Sequence, residues 1–221
     1  MKLFYNDLKK TPILTIGFLF LSLGMVLTLK SGLGMSPWGV FHTGLVEMTG
    51  MSLGVITQVF GLFVLLISMI FVKTKVGIGT ILNIAIIGIF VDVFDEIITY
   101  VPSTSYLEYG LLLVGLVLMT FGRALYISAK LGAGPRDGLF VGLSSLFNIE
   151  VKYMKPLIEL TVLIIGYFLG GEIGIGTVIL GLSSGYFVQS FFKVLGYNPR
   201  IDKQGGIDDY IASYKSKKTS I

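Results

Sequence analysis

The sequence predicts an all-α membrane protein of six transmembrane helices in two inverted-topology repeats, each with a short re-entrant or interfacial half-helix after its first span. Three observations predict it. Of 221 residues, 53% are hydrophobic and 14% charged, with a mean hydropathy of +0.84, far from the composition of a soluble domain. Ser31–Leu45, SGLGMSPWGVFHTGL, is echoed by Lys130–Leu143, KLGAGPRDGLFVGL. At an offset of 98, Leu33, Gly34, Pro37, Gly44 and Leu45 fall on Leu131, Gly132, Pro135, Gly142 and Leu143. Finally, a single threading of the chain puts all 17 basic residues except Lys30 on one side of the membrane.

Residues 1–11, with Lys2, Lys9 and Lys10, are expected to form a cytoplasmic N-terminus. Repeat 1 covers 12–101. Its first span, 12–30, has no small-residue cleavage site and is followed by further apolar segments, so it reads as a retained helix rather than a removed signal. Next comes the half-helix 36–49, where Ser36 is a good N-cap for Pro37 at the first helical position. Its 13 or so residues reach about 20 Å, short of the roughly 30 Å hydrocarbon core. It therefore either dips in and returns or lies at the interface. Spans 52–72 and 79–101 complete the repeat.

Repeat 2 covers 108–197, with span 108–128, half-helix 134–147 begun by Gly134-Pro135, and spans 154–171 and 174–195 joined by a tight Gly170-Gly171 turn. The motif Gly77-Ile78-Gly79-Thr80 returns as Gly174-Ile175-Gly176-Thr177. Gly34, Pro37, Gly132, Pro135, Gly79, Thr80, Gly176 and Thr177 are thus the expected structural framework. Residues 198–221, polar and carrying Lys215, Lys217 and Lys218, are expected to be a solvated cytoplasmic tail.

Lys and Arg resist translocation whereas Asp and Glu count for little. With the N-terminus inside and each half-helix returning to its own side, only Lys30 lies outside, and both termini are cytoplasmic. Half-helices that crossed would move Lys73, Lys75, Arg123 and Lys130 outside, which the charge rule rejects. Three crossings per half is an odd number, so the second half enters upside down, the pattern of a duplicated half-transporter.

The chain has no Cys and one His, which removes disulfides and thiolate metal sites and leaves little for zinc. No G-x-S-x-G, H-E-x-x-H or P-loop is present, and Asp92-Val93-Phe94-Asp95-Glu96 has no second acidic motif to complete a metal site. No enzyme activity, cofactor or metal is expected. The basic residues flank membrane segments instead of forming a tract, so nucleic acid is not an expected partner.

The candidate site residues are polar groups at membrane depth. Two half-helices entering from opposite faces bring two helix N-termini towards the midplane, a geometry suited to an anion or polar solute. Arg136 and Asp137 stand at one such N-terminus, as a functional pair or as interfacial anchor and helix cap. Ser36, Trp38 and His42 belong to the other: Trp38 is a belt residue or a stacking platform, His42 a packing residue or a proton relay. Glu159, one turn after Lys155 in the fifth span, and Asp92, whose repeat mate is Gln189, are candidate coupling-ion carriers or structural groups, because charge in a bundle is costly unless paired or hydrated.

Together LGMSPWGV, LGAGPRDGL, the paired GIGT motifs and IELTVLIIGYFLGG resemble the YczE/YitT-like family of bacterial integral membrane proteins, over about residues 11–197. The resemblance implies a multi-pass protein of the cell membrane and supplies no substrate. The expected function is a small transporter or facilitator for a small polar or anionic solute, driven by a gradient if at all; the alternative is a membrane scaffold or accessory subunit that moves nothing. The expected partners are the lipid bilayer and that solute, with a homo-oligomer or a partner protein left open.

Overall fold

The computed structural model describes residue 7 and residues 9–72, 76–149, 151–198 and 201–209. The expected N-terminal Lys2, the loop residues Lys73 and Lys75, and tail residues Lys215, Lys217 and Lys218 lie outside them. Every regular element among the described residues is helical: α1 Thr11–Lys30, α2 Pro37–Thr49, α3 Leu53–Phe71, α4 Ile78–Ile97, α5 Ser105–Ser128, α6 Pro135–Phe147, α7 Val151–Phe168 and α8 Ile175–Val194. The two short helices are α2 and α6. Ser36 Oγ accepts from Gly39 N at 3.4 Å to start α2, and Gly50, at φ 70°, ends it.

Among the described residues, five helices, α1, α3, α4, α5 and α8, are long and apolar enough to cross a membrane. The expected fifth span is α7, which carries Lys152, Lys155 and Glu159 and an internal Pro156 within 18 residues. Because α7 is 18 residues long, its whole length is needed to span and includes all three charges, whereas Asp92, Asp95 and Glu96 of α4 gather at its C-terminal end. The polar side of α7 must therefore face protein or water.

At the centre α1 packs along α5, the most extensive helix pair in the fold, and the reason is four glycines. A Cβ on Gly24 would lie 2.3 Å from Met119 N and 2.5 Å from Gly115 O; one on Gly122 would lie 2.4 Å from Leu21 N and 2.5 Å from Gly17 O. The backbones touch there, as small residues permit in lipid, where close van der Waals packing replaces the hydrophobic drive. Around this pair, α4 packs on α1 and α8 on α5, while α2 packs on α7 and α6 on α3.

The turns before the half-helices dock reciprocally. Gly79 N donates to Leu131 O at 2.7 Å, and Gly176 N donates to Leu33 O at 2.7 Å. Gly34 and Gly132 have φ of 99° and 116°, and a Cβ on either would collide with the start of the helix it meets, at Gly174 and Gly77 respectively. Thr80 Oγ1 accepts from Gly77 N and donates to Ala133 O at 2.7 Å, closing the joint. The GIGT motifs and the LG turns of the sequence are thus two halves of one contact, made twice.

The chain after α8 departs from the expected solvated tail. Gly205 N donates to Lys130 O, Ile207 N to Val76 O, and Gln204 links Ile127 O to Gly132 N, so 204–207 lie against the turn before α6. Asp202 takes Lys130 Nζ at 2.5 Å and Asn198 N at 2.8 Å, and these contacts hold its carboxyl below the usual range. The linkage is therefore present above the ordinary carboxylate pKa and lost as pH falls through the lowered one. Hydrogen exchange at Gly205 and Ile207 is expected to quicken in Asp202→Asn, and in the parent only at low pH; unchanged protection in the variant would show that the ion pair does not hold the segment.

Candidate functional site

A cavity of about 80 Å³ lies beside the α1–α5 pair, room for a few waters or one small solute. Both half-helices begin on it. Ser36, Trp38 and Gly39 come from the start of α2, and Gly134, Pro135, Arg136 and Asp137 from the start of α6; α1 and α5 contribute Leu21, Met25, Met119, Arg123 and Tyr126, and α7 contributes Glu159. Much of this lining pairs position for position at the offset of 98: Leu21 with Met119, Met25 with Arg123, Ser36 with Gly134, Trp38 with Arg136, Gly39 with Asp137, and Gly61 with Glu159. The first half supplies uncharged members throughout. All the charge in those pairs comes from the second half.

Arg136 is the hub. Its Cζ stands 4.7 Å from the Trp38 ring centroid, a cation–π stack, and its Nη2 lies 3.0 Å from His42 Nε2. A guanidinium has donors and no acceptor, so His42 Nε2 accepts and its Nδ1–H donates to Thr57 Oγ1 at 3.0 Å. His42 is fully buried, with Phe60 at its edge, and the two bonds fix its tautomer. Trp38 is 6% exposed and packs against Phe60 and Phe140, which makes it a stacking platform rather than an interfacial belt residue.

The two acids on the cavity are already engaged. Asp137 Oδ2 accepts from Tyr126 Oη at 3.0 Å, and Glu159 faces Lys155 Nζ at 3.8 Å. Asp92 is not with them. Its Oδ2 accepts from Ser52 Oγ at 2.6 Å and its Oδ1 from Gly54 N at 2.7 Å, so it caps the first turn of α3. The expectation that Asp92 shares one polar lining with Arg136, Asp137 and Glu159 is corrected accordingly: its depth on α4 was legible, but its direction around the helix points to α3. Asp92→Ala is expected to lower stability by about 0.5–2 kcal/mol, the cost of a lost cap, read by thermal unfolding; a variant as stable as the parent would remove the capping role.

A model for a family of unknown function, DUF6198, matches residues 8–193. The chain belongs to that family. An uncharacterized protein of Haemophilus influenzae is 34% identical over 193 residues, covering 87% of this chain and 88% of the relative. The uncharacterized membrane protein YczE of Bacillus subtilis is 32% identical, with 78% and 80% covered, and the uncharacterized protein YyaS of the same organism is 29% identical, with 81% and 90% covered. These relatives bear out the YczE side of the resemblance and do not bear the YitT name. No solved structure matches. With its apolar helices and a membrane protein among its relatives, this DUF6198 member is a multi-pass helical membrane protein.

The residues that sequence reasoning missed in the DUF6198 site are Arg123, Tyr126, Asn83 and Thr57. Arg123 had been assigned to the cytoplasmic flank, five residues before the end of α5, yet it lines the cavity. The repeat offset was the available signal: it equates Arg123 with Met25 and Arg136 with Trp38, so a charge replaces a bulky neutral residue at equivalent places. Tyr126, Asn83 and Thr57 carry no such mark, being ordinary polar residues on long apolar helices.

Proposed function

We propose that this protein is a small transporter or facilitator for a small polar or anionic solute, which binds between its two halves. The observation that carries the reading is that both half-helix N-termini and four ionisable side chains, Arg123, Arg136, Asp137 and Glu159, line one central cavity. A scaffold gains nothing from burying that much polarity in a bundle, where each charge costs about 2.5–3.5 kcal/mol at a helix centre unless paired or hydrated. The two halves are read as inverted repeats: the antiparallel α1–α5 seam, the reciprocal Gly79–Leu131 and Gly176–Leu33 bonds, and the matched lining positions support this. The half-helices are read as re-entrant, because interfacial helices would not both start on a cavity that also takes Leu21, at the middle of α1. α7 is read as the sixth crossing, with Glu159 on the cavity.

Alternating access is then a rocking of one half against the other about the glycine seam. With Asp92 occupied as a cap, Glu159 is the acid placed to carry a coupling proton or cation, and no cofactor or catalytic step is required. Proteoliposomes loaded with small polar solutes under an imposed proton or sodium gradient test the reading. Glu159→Gln is expected to remove gradient-driven accumulation while leaving the fold intact; no movement of any solute under any gradient would favour the scaffold.

Orientation is tested separately. The chain has no native Cys, so single cysteines at Ser103 and Asn148 report cleanly. From outside intact cells an impermeant thiol reagent is expected to label the Ser103 site and not the Asn148 site, since both termini are read as cytoplasmic. The reverse labelling would overturn the topology.

A further inference from the structure

We infer that the solute is a small oxyanion, a carboxylate or an inorganic oxoanion, bound between the Trp38 indole N–H and the Arg123 guanidinium; this rests on the cavity being a solute site. The cavity's polar groups divide by sign of need. Each of its acids has a partner, Asp137 in Tyr126 Oη at 3.0 Å and Glu159 in Lys155 Nζ at 3.8 Å. Two of its donors have none. Trp38 Nε1 is buried and has no hydrogen-bond partner, in a side chain 94% removed from solvent by its 6% exposure. Arg123 lines the same cavity and makes no hydrogen bond or ion pair among the described residues.

A buried donor without a partner carries the full desolvation penalty of its group, and an unpaired guanidinium in an apolar bundle carries a larger one. A ligand that supplies acceptors recovers both. A cation or a pure hydrogen-bond donor recovers neither, because it brings no acceptor to the indole N–H or to the guanidinium. The first turns of α2 and α6, whose N–H groups have no intrahelical partner, add positive potential from two directions. Arg136, held by His42 and stacked on Trp38, keeps the indole ring fixed so that its N–H cannot turn to another partner. The volume of about 80 Å³ favours a compact anion over a nucleotide or sugar phosphate.

The test uses the purified full-length chain in detergent, titrated by calorimetry with sodium formate, acetate, nitrate and phosphate at fixed ionic strength, with formamide and acetamide as neutral isosteres and choline as a cation. At least one oxyanion is expected to bind saturably and its neutral isostere not at all. Arg123→Gln is expected to weaken that binding about ten-fold or more, as loss of a charge-assisted hydrogen bond does, and Trp38→Phe to weaken it while keeping the aromatic packing. Thermal unfolding of both variants checks the fold, and if Arg123→Gln does not fold, Trp38→Phe carries the test. Binding of choline or an amide in preference to every anion overturns the oxyanion assignment and leaves the transporter reading standing. Absence of any oxyanion binding, or parent-like affinity in folded Trp38→Phe and Arg123→Gln, also overturns it; the proteoliposome assay decides the transporter reading independently.

Discussion

Gly24→Leu is expected to be strongly destabilising. Its Cβ would fall 2.3 Å from Met119 N and 2.5 Å from Gly115 O, and the obstacles are backbone atoms that no rotamer change moves aside. α1 and α5 must separate, which opens the middle of the fold and costs about 1–3 kcal/mol or more by overpacking. The natural control is Gly110→Leu on the same α5, since nothing stands within 4 Å of a Cβ there. Thermal unfolding followed by circular dichroism is expected to show a large fall for the first and none for the second. Equal stability of the two would mean that the seam is not what holds the halves together.

Arg136→Gln ranks second and combines two losses. Stability falls because the cation–π stack on Trp38, about 1–2 kcal/mol when desolvated, disappears together with the donor that His42 Nε2 needs, at about 1–3 kcal/mol. Binding falls because the Trp38 platform is no longer clamped. Arg136→Lys is not expected to rescue either property, because an ammonium neither stacks as a plane nor donates in a fixed fork. The fluorescence of Trp38, the only tryptophan, reports the change directly as a red-shifted emission. A folded Arg136→Lys with parental affinity would reduce Arg136 to a general positive charge.

The helices were legible because apolar length and capping chemistry are local properties. Ser36-Pro37 and Gly134-Pro135 set the starts of α2 and α6 to within a residue, and Gly50 set the end of α2. The central role of the 31–45 and 130–143 stretches was legible from their echo. What the sequence hid was azimuth. Asp92 and Glu159 are both acids on long helices, but one points to the start of α3 and the other to the cavity, and that difference is fixed by which neighbour each helix packs against. Arg123 was read for its side of the membrane rather than its face of the helix, and its free guanidinium became visible only with α6 in place.

The glycine seam also bears on ancestry. Gly17 and Gly24 on α1 correspond, at the offset of 98, to Gly115 and Gly122 on α5; Gly17 touches Gly122 and Gly24 touches Gly115. When one residue meets the counterpart of a second, and the second meets the counterpart of the first, the contact has the form of an isologous dimer interface. Each half-sequence thus carries both sides of the seam within a single helix. Two separate copies of such a half, inserted in opposite senses, would already hold the surfaces needed to pair. The link through residues 98–104 then raises the effective concentration of one partner at the other and fixes their ratio at one to one.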